Sequence, residues 1–174
     1  MTNENKNFLG IPVEGYLVYG SPRIPQRPLE DFGPLVQALL DDPTIVEFGW
    51  IQYTPYFNDG DECIFNAHTL WVRTDNDNAE WGDRGSHYNE ALALYDHPSL
   101  GKRDYHYEYD VNNRPVRKDD GYTGPDVDRY DRCKALERAI EGGEFDDVLK
   151  GAFGDHADIT VTNDGIRVDH YEHD

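Results

Sequence analysis

The run from Thr44 to Arg73 constrains this chain most. Two stretches of β-branched and aromatic residues flank Asn58-Asp59-Gly60. Across 44–53, Val46, Phe48 and Trp50 alternate with Ile45, Glu47 and Gly49, which is the period of a strand. Across 62–73, Cys63, Phe65, Ala67, Thr69 and Trp71 alternate with Ile64, Asn66, His68, Leu70 and Val72. Asn, Asp and Gly tolerate positive φ, so Asn58-Asp59-Gly60 reads as the turn of a β-hairpin. Pro55 interrupts pairing ahead of that turn, and the connection is expected to be longer than two residues.

The remaining pattern alternates between helices and hairpins. Residues 1–9 read as a mobile polar tail and 15–19 as a short strand. Phe32, Leu35, Val36, Leu39 and Leu40 recur at helical spacing. That helix is expected to start near Asp31, with Pro34 in its first turn, and to end near Pro43. Asp75 to Gly85 reads as a solvated loop. Ser86 is a candidate cap for a helix running to Pro98. Residues 101–125 form a long polar, tyrosine-rich segment, extended where Tyr105, Tyr107 and Tyr109 alternate with His106 and Glu108. Asp126 to Ile140 is the clearest helix, ended by Gly142-Gly143, and 145–153 is a second. Strands near 157–162 and 166–171 close the chain around Asn163-Asp164-Gly165. Hairpins separated by helices predict a single α+β domain over residues 10–174. Its sheet is mainly antiparallel, with helices packed on one face.

Composition limits the partners. The chain has 174 residues, enough for one sizeable core. It carries 35 acidic against 16 basic residues, a formal charge of -19. Such a charge repels phosphate backbones and anionic membrane surfaces, so neither nucleic acid nor membrane is expected as a direct partner. Solubility explains the acidity most simply. Asp (23) exceeding Glu (12) and Arg (11) exceeding Lys (5) also suit adaptation to high salt. A third reading is mimicry of nucleic acid, with carboxylates filling the basic groove of a DNA-binding enzyme. Cys63 and Cys133 are the sole cysteines, too few for a disulfide framework. Reduced thiols, and a polar first segment without the pattern of a secretory signal, point to the cytoplasm.

Catalytic signatures are weak. The carboxylates of Asn58 to Glu62 do not follow calcium-loop spacing, and Asp75 to Glu80 departs from it at Ala79 and Glu80. The histidines show no zinc-ligand spacing. No P-loop, dinucleotide fingerprint or nucleophile elbow is present. No cofactor and no metal are expected. For an enzyme, His68, Asp59 and Asp61 are the residues to test. The aromatics are more informative: Tyr53, Tyr56 and Phe57 beside Asp59 and Asp61, and Tyr105, Tyr107 and Tyr109, form a candidate binding surface.

The pattern W-x-Q-Y-T-P-Y-F-N-D-G-D-x-C-x-F, met from Trp50 to Phe65, resembles a motif of a group of small bacterial and phage proteins that carries no assigned activity. The resemblance implies a bacterial or viral origin and a compact domain. It transfers no catalytic residue. Together these features lead to one expectation: an acidic, non-enzymatic, phage-encoded protein that binds a basic protein partner. Blocking a host nucleic-acid-processing or defence protein by charge mimicry is its sharpest form. The alternatives are a virion or assembly component, which would self-associate, and a small metal-assisted enzyme built on the 58–68 hairpin.

Overall fold

A computed structural model describes residues 7–8, 11–12, 24–57, 59–60, 62–77 and 92–172. The strand expected at 15–19, most of the helix expected from Ser86, and Asn58, Asp61, His87 and His173 lie outside the described residues.

The elements are β1 (Asn7–Phe8), β2 (Ile11–Pro12), α1 (Leu29–Leu40), β3 (Ile45–Tyr53), β4 (Asn66–Thr74), a 3₁₀ helix (Leu94–Asp96), β5 (Lys102–Tyr109), β6 (Pro115–Thr123), α2 (Val127–Glu141), α3 (Asp146–Phe153), β7 (Ala157–Thr162) and β8 (Gly165–His170). The main sheet runs β4-β3-β7-β8 and every pairing is antiparallel. β5 and β6 form a separate two-stranded sheet, as do β1 and β2. The α+β class and the antiparallel sheet therefore hold.

The core lies between the sheet and its helices. Phe48 and Trp50 from β3, Leu70 and Val72 from β4, and Ile159 and Val161 from β7 meet Leu39, Leu136, Ile140, Phe145 and Leu149. Burying each large apolar side chain contributes about 1.5–3 kcal/mol. Gln52 is buried on the same side. It accepts from Trp50 Nε1 at 3.2 Å and donates to the Leu149 and Gly154 carbonyl oxygens at 3.1 and 2.6 Å. Those bonds tie α3 to the centre of the sheet and meet the cost of burying an amide. The opposite face is buried at Ile51, Trp71, Asp158 and Thr160.

Two bulges correct the simple alternation. A register shift between Ile45 and Glu47 puts Ile45 in the core and leaves Val46 exposed. A second shift falls opposite Gly49 to Ile51. Thr69 takes it up with φ 59, unusual for a β-branched residue. Ala67 faces the core before the bulge, and Leu70 and Val72 face it afterwards. Glu141, at the end of α2, accepts the Thr69 backbone N–H at 3.1 Å and pins the bulge.

Other boundaries shift as well. β4 begins at Asn66 rather than 62, because residues 62–65 belong to the loop. α1 starts at Leu29, so Pro34 lies inside it. Within the helix expected up to Pro98, the described part is not α-helical. Ala93 makes a β-bridge with Trp71, and Leu94–Asp96 is a single 3₁₀ turn. α2 follows expectation: the Asp126 carboxylate caps it by accepting the Arg129 N–H at 2.9 Å, and Gly143 leaves it at φ 74.

Candidate functional site

Two surfaces carry the residues that the sequence singles out. The first is one end of the main sheet, where β3 and β8 finish and β4 and β7 begin. Tyr53 packs edge-on to His68 with ring centres 5.4 Å apart. His156 and Tyr171 lie 6.1 and 5.5 Å from the same tyrosine ring. Tyr56 stacks on His156 at 4.6 Å, and His170 is 6.4 Å from His156. Register explains the gathering. Tyr53 pairs with Asn66, Gln52 with Ala157, and Ala157 with His170. The Tyr171 N–H then donates to the His156 carbonyl oxygen at 2.8 Å, so ladder bonding continues past β8.

Beside this ring cluster, Asp155 accepts from the Thr54 N–H and Oγ1, both at 2.7 Å, and pairs with Lys150 Nζ at 2.8 Å. Burial opposes ionisation of the Asp155 carboxyl, but the bonds from Lys150 and Thr54 outweigh it and hold the group at about 2. This clamp anchors the loop between β3 and β4 to α3. The loop then exposes Tyr56 and Phe57, each 77% accessible, and turns at Asp59 and Gly60 with φ 41 and 95. Beneath it lies a cavity of about 360 Å³ lined by Ile24, Thr54, Cys63, Phe65, Asp147 and Lys150, among others. Among the described residues, no histidine lines it.

The second surface is the β5–β6 hairpin, an arm with its side chains almost entirely in solvent. Asp110 makes the turn: its Oδ1 accepts the Asn112 and Arg114 N–H groups at 2.8 Å each, and Asn113 takes φ 58. Tyr105 pairs with Asp119, Tyr107 with Arg117 and Tyr109 with Pro115, so these six residues share one face. The Tyr105 and Tyr107 rings meet edge-on at 5.8 Å, and the Arg117 guanidinium sits 3.8 Å over Tyr105. The three tyrosines are 49%, 58% and 69% accessible. At the root, Arg103 makes a two-pronged bond to Asp131 of α2 at 2.9 and 3.0 Å. Tyr122 donates to the Leu100 carbonyl oxygen at 2.6 Å.

The structure thus joins Tyr53, Tyr56 and His68 in one cluster and Tyr105, Tyr107 and Tyr109 in another. His156, His170 and Tyr171 enter the first cluster unannounced by the sequence, since cross-strand register alone brings them there. The Nδ1 of His68 is bonded to Thr69 Oγ1 at 2.8 Å. Among the described residues, no three His, Cys, Asp or Glu side chains converge closely enough to hold a metal ion. Asp59 lies in the exposed turn, and Asp61 is not among the described residues.

A third constellation resembles a catalytic triad in composition alone. His97, Ser99 and Asp77 meet at the end of β4. The His97 Nδ1 accepts backbone N–H groups of Ser99 and Leu100 at 3.2 and 3.1 Å, which puts the proton on Nε2. That proton goes to the Val72 carbonyl oxygen at 2.6 Å. Ser99 Oγ donates to Asp77 at 3.0 Å. With both imidazole nitrogens committed to backbone, His97 is a structural brace and not a base. Asp77, expected in a solvated loop, is instead a buried acceptor for Thr74 and Ser99.

No family model, curated protein or solved structure matches this chain. No helix among the described residues is long and apolar enough to cross a membrane.

Proposed function

We propose that this chain is an acidic, non-enzymatic protein-binding protein whose contact element is the tyrosine face of the β5–β6 arm. One observation carries the reading: Tyr105, Tyr107 and Tyr109 stand in a row beside Arg117 on a hairpin exposed on both faces. Tyr and Arg dominate binding hot spots, because each offers a large contact area with few rotatable bonds or a rigid set of donors. A lone two-stranded hairpin is marginal in water, and a partner on its face would supply the missing packing.

Charge favours a basic partner. The arm holds five basic residues (Lys102, Arg103, Arg114, Arg117, Lys118) and five acidic ones (Asp104, Glu108, Asp110, Asp119, Asp120), so the net -19 belongs entirely to the rest of the chain. A neutral, aromatic arm would dock while the acidic body steers a cationic surface towards it. A nucleic-acid-processing or defence protein of a host presents such a surface. The Trp50–Phe65 resemblance supports a bacterial or phage setting, and with it a cytoplasmic one.

The test is photocrosslinking from a benzophenone side chain at position 107, in cell extract at low and high salt. The expected product is a basic protein, captured at low salt and lost at high salt. Replacing Tyr105 and Tyr109 with serine, with the benzophenone kept at position 107, abolishes capture while circular dichroism is unchanged. Absence of any protein adduct at low salt, or undiminished capture by the variant with serine at 105 and 109, defeats the reading.

A further inference from the structure

The β5–β6 arm lacks a buried face to fix its register. Where one face of a strand is buried, a slip of one residue exposes the apolar side and is resisted. With both faces polar that resistance is missing, and the extra residue of a bulge can migrate along the ladder. The arm carries such a residue. Asp104 pairs with Gly121 and Tyr105 with Asp119, which makes Asp120 the extra one. Gly121 takes φ 103 at the bulge, and Asp119 Oδ1 accepts its N–H at 2.7 Å. A bulge displaced towards the tip turns residues of β6 to the other face, Asp119 first and Arg117 after it. The Arg117 guanidinium would then lose its place over the Tyr105 ring.

His106 holds Asp120 where it is. On the face away from the tyrosines, its Nδ1 lies 2.7 Å from Asp120 Oδ1 and its Nε2 lies 3.4 Å from Glu108 Oε1. The other charged residues on this face, among those described, are Lys102 and Asp104 of β5 and Lys118 of β6. Lys102 pairs with Asp104 at 3.4 Å, and Lys118 with Glu108 at 3.7 Å. A protonated imidazole donates from both nitrogens and serves both carboxylates. A neutral one has a single N–H, and its other nitrogen turns a lone pair towards an anion. The bond it keeps is weaker, because hydrogen bonds between an ionised donor and an ionised acceptor are the strong ones.

We infer that His106 is a proton-operated latch on the arm: the imidazolium fixes the bulge at Asp120 and so keeps the tyrosine face assembled on the opposite side, and loss of its proton loosens both. Asp120 first, and Glu108 second, raise the pKa of His106 above 6.5. The latch is therefore closed below 6.5 and opens as pH rises through the folded value. Gating of partner capture rests on the contact role proposed above; the latch itself does not.

NMR of the full chain without a partner, at about pH 6 and about pH 8.5, tests it. The Arg117 side-chain protons report on the face opposite His106, because the Tyr105 ring shifts them upfield while the guanidinium lies over it. That shift is expected to shrink with the same midpoint as the His106 ring. Ladder amides of β5 and β6 are expected to lose about twofold to fivefold in hydrogen-exchange protection, corrected for the intrinsic rate. His106→Gln keeps a donor for Asp120 but does not titrate, and its arm is expected to show neither change. Equal protection and equal Arg117 shifts at both pH values in the wild type overturn the inference, as does a His106→Gln chain that repeats the wild-type step. Crosslinking from position 107 at the same two pH values separates the two readings. Less adduct at the higher pH, with no such loss in His106→Gln, extends the latch to capture. Equal adduct at both, with the arm loosened, overturns the gating and leaves the contact role standing. No adduct at either, with Arg117 responding to pH, supports the latch and defeats the contact role alone.

Discussion

The indole of Trp71 lies directly over Gly49 on the neighbouring strand. A β-carbon at Gly49 would come within 2.7 Å of that ring and 2.0 Å of the Ile159 carbonyl oxygen on the other side. The main sheet closes this tightly because position 49 has no side chain. Gly49→Ala is expected to cost about 3 kcal/mol, since neither a backbone carbonyl nor a buried indole can retreat. Urea denaturation measures it; a loss below about 0.5 kcal/mol, the range of surface changes, would contradict the packing.

Thr69 holds the bulge at a φ that a β-branched residue resists. Asparagine accepts that conformation more readily. Thr69→Asn is expected to raise stability by about 1 kcal/mol, less whatever the hydroxyl bond to His68 contributes. Destabilisation by the substitution would show that the bond outweighs the strain.

Asp77 takes bonds from the Thr74 N–H, the Thr74 hydroxyl and the Ser99 hydroxyl in the interior. Asp77→Ala leaves those donors without an acceptor and is expected to cost about 2–4 kcal/mol. Asp77→Asn keeps a carbonyl oxygen and is expected to recover part of that. Equal losses for the two variants in thermal unfolding would mean that volume, not bonding, matters there.

The thiols are expected to separate kinetically. Burial pushes the Cys133 thiol up to about 12, whereas Cys63 is part-exposed beside a cavity. A chromogenic disulfide at about pH 8 should titrate one thiol in the folded chain and both after unfolding. Rapid reaction of two thiols in the native protein would refute the packing around α2.

Acid should weaken the fold in two steps. Burial lowers the pKa of His97 below 6.5, so the unfolded chain binds that proton first, and stability drops as pH falls below 6.5 towards the folded value. Asp155 follows: its contribution is complete above 3.8 and disappears as pH falls to about 2. His106 has the opposite sign. Its bonds to Asp120 and Glu108 raise its pKa, so its small, solvent-screened contribution is present below 6.5 and disappears as pH rises through the folded value. Imidazole NMR should show the His106 midpoint above 6.5 and the His97 midpoint below it. The reverse order would overturn the assignment.

Local pattern made several elements readable in advance. Asp126 followed by a helical apolar stripe and Gly142-Gly143 announces α2. Asn163-Asp164-Gly165 between alternating strands announces the β7–β8 hairpin. Pro55 announces a long loop after β3. Local pattern misleads where one residue breaks a period. The bulge at Thr69 moves the core face of β4 from odd to even positions, and no composition signal marks it. Asp77 reads as a surface residue because its partner, Ser99, is distant in sequence. The second strand of the arm was hidden because its residues are polar on both faces, so periodicity had nothing to report.

The sequence by itself determined the class of fold, the hairpin turns, the neutral tyrosine-rich segment and the acidity of the rest, since turn chemistry, period and charge are local properties. Tertiary structure decided that Tyr53, His68, His156 and Tyr171 share one sheet end, and that the tyrosines of β5 stand on an arm. Those outcomes depend on strand order and register, which are set by long-range pairing and burial and are written in no single stretch of the chain.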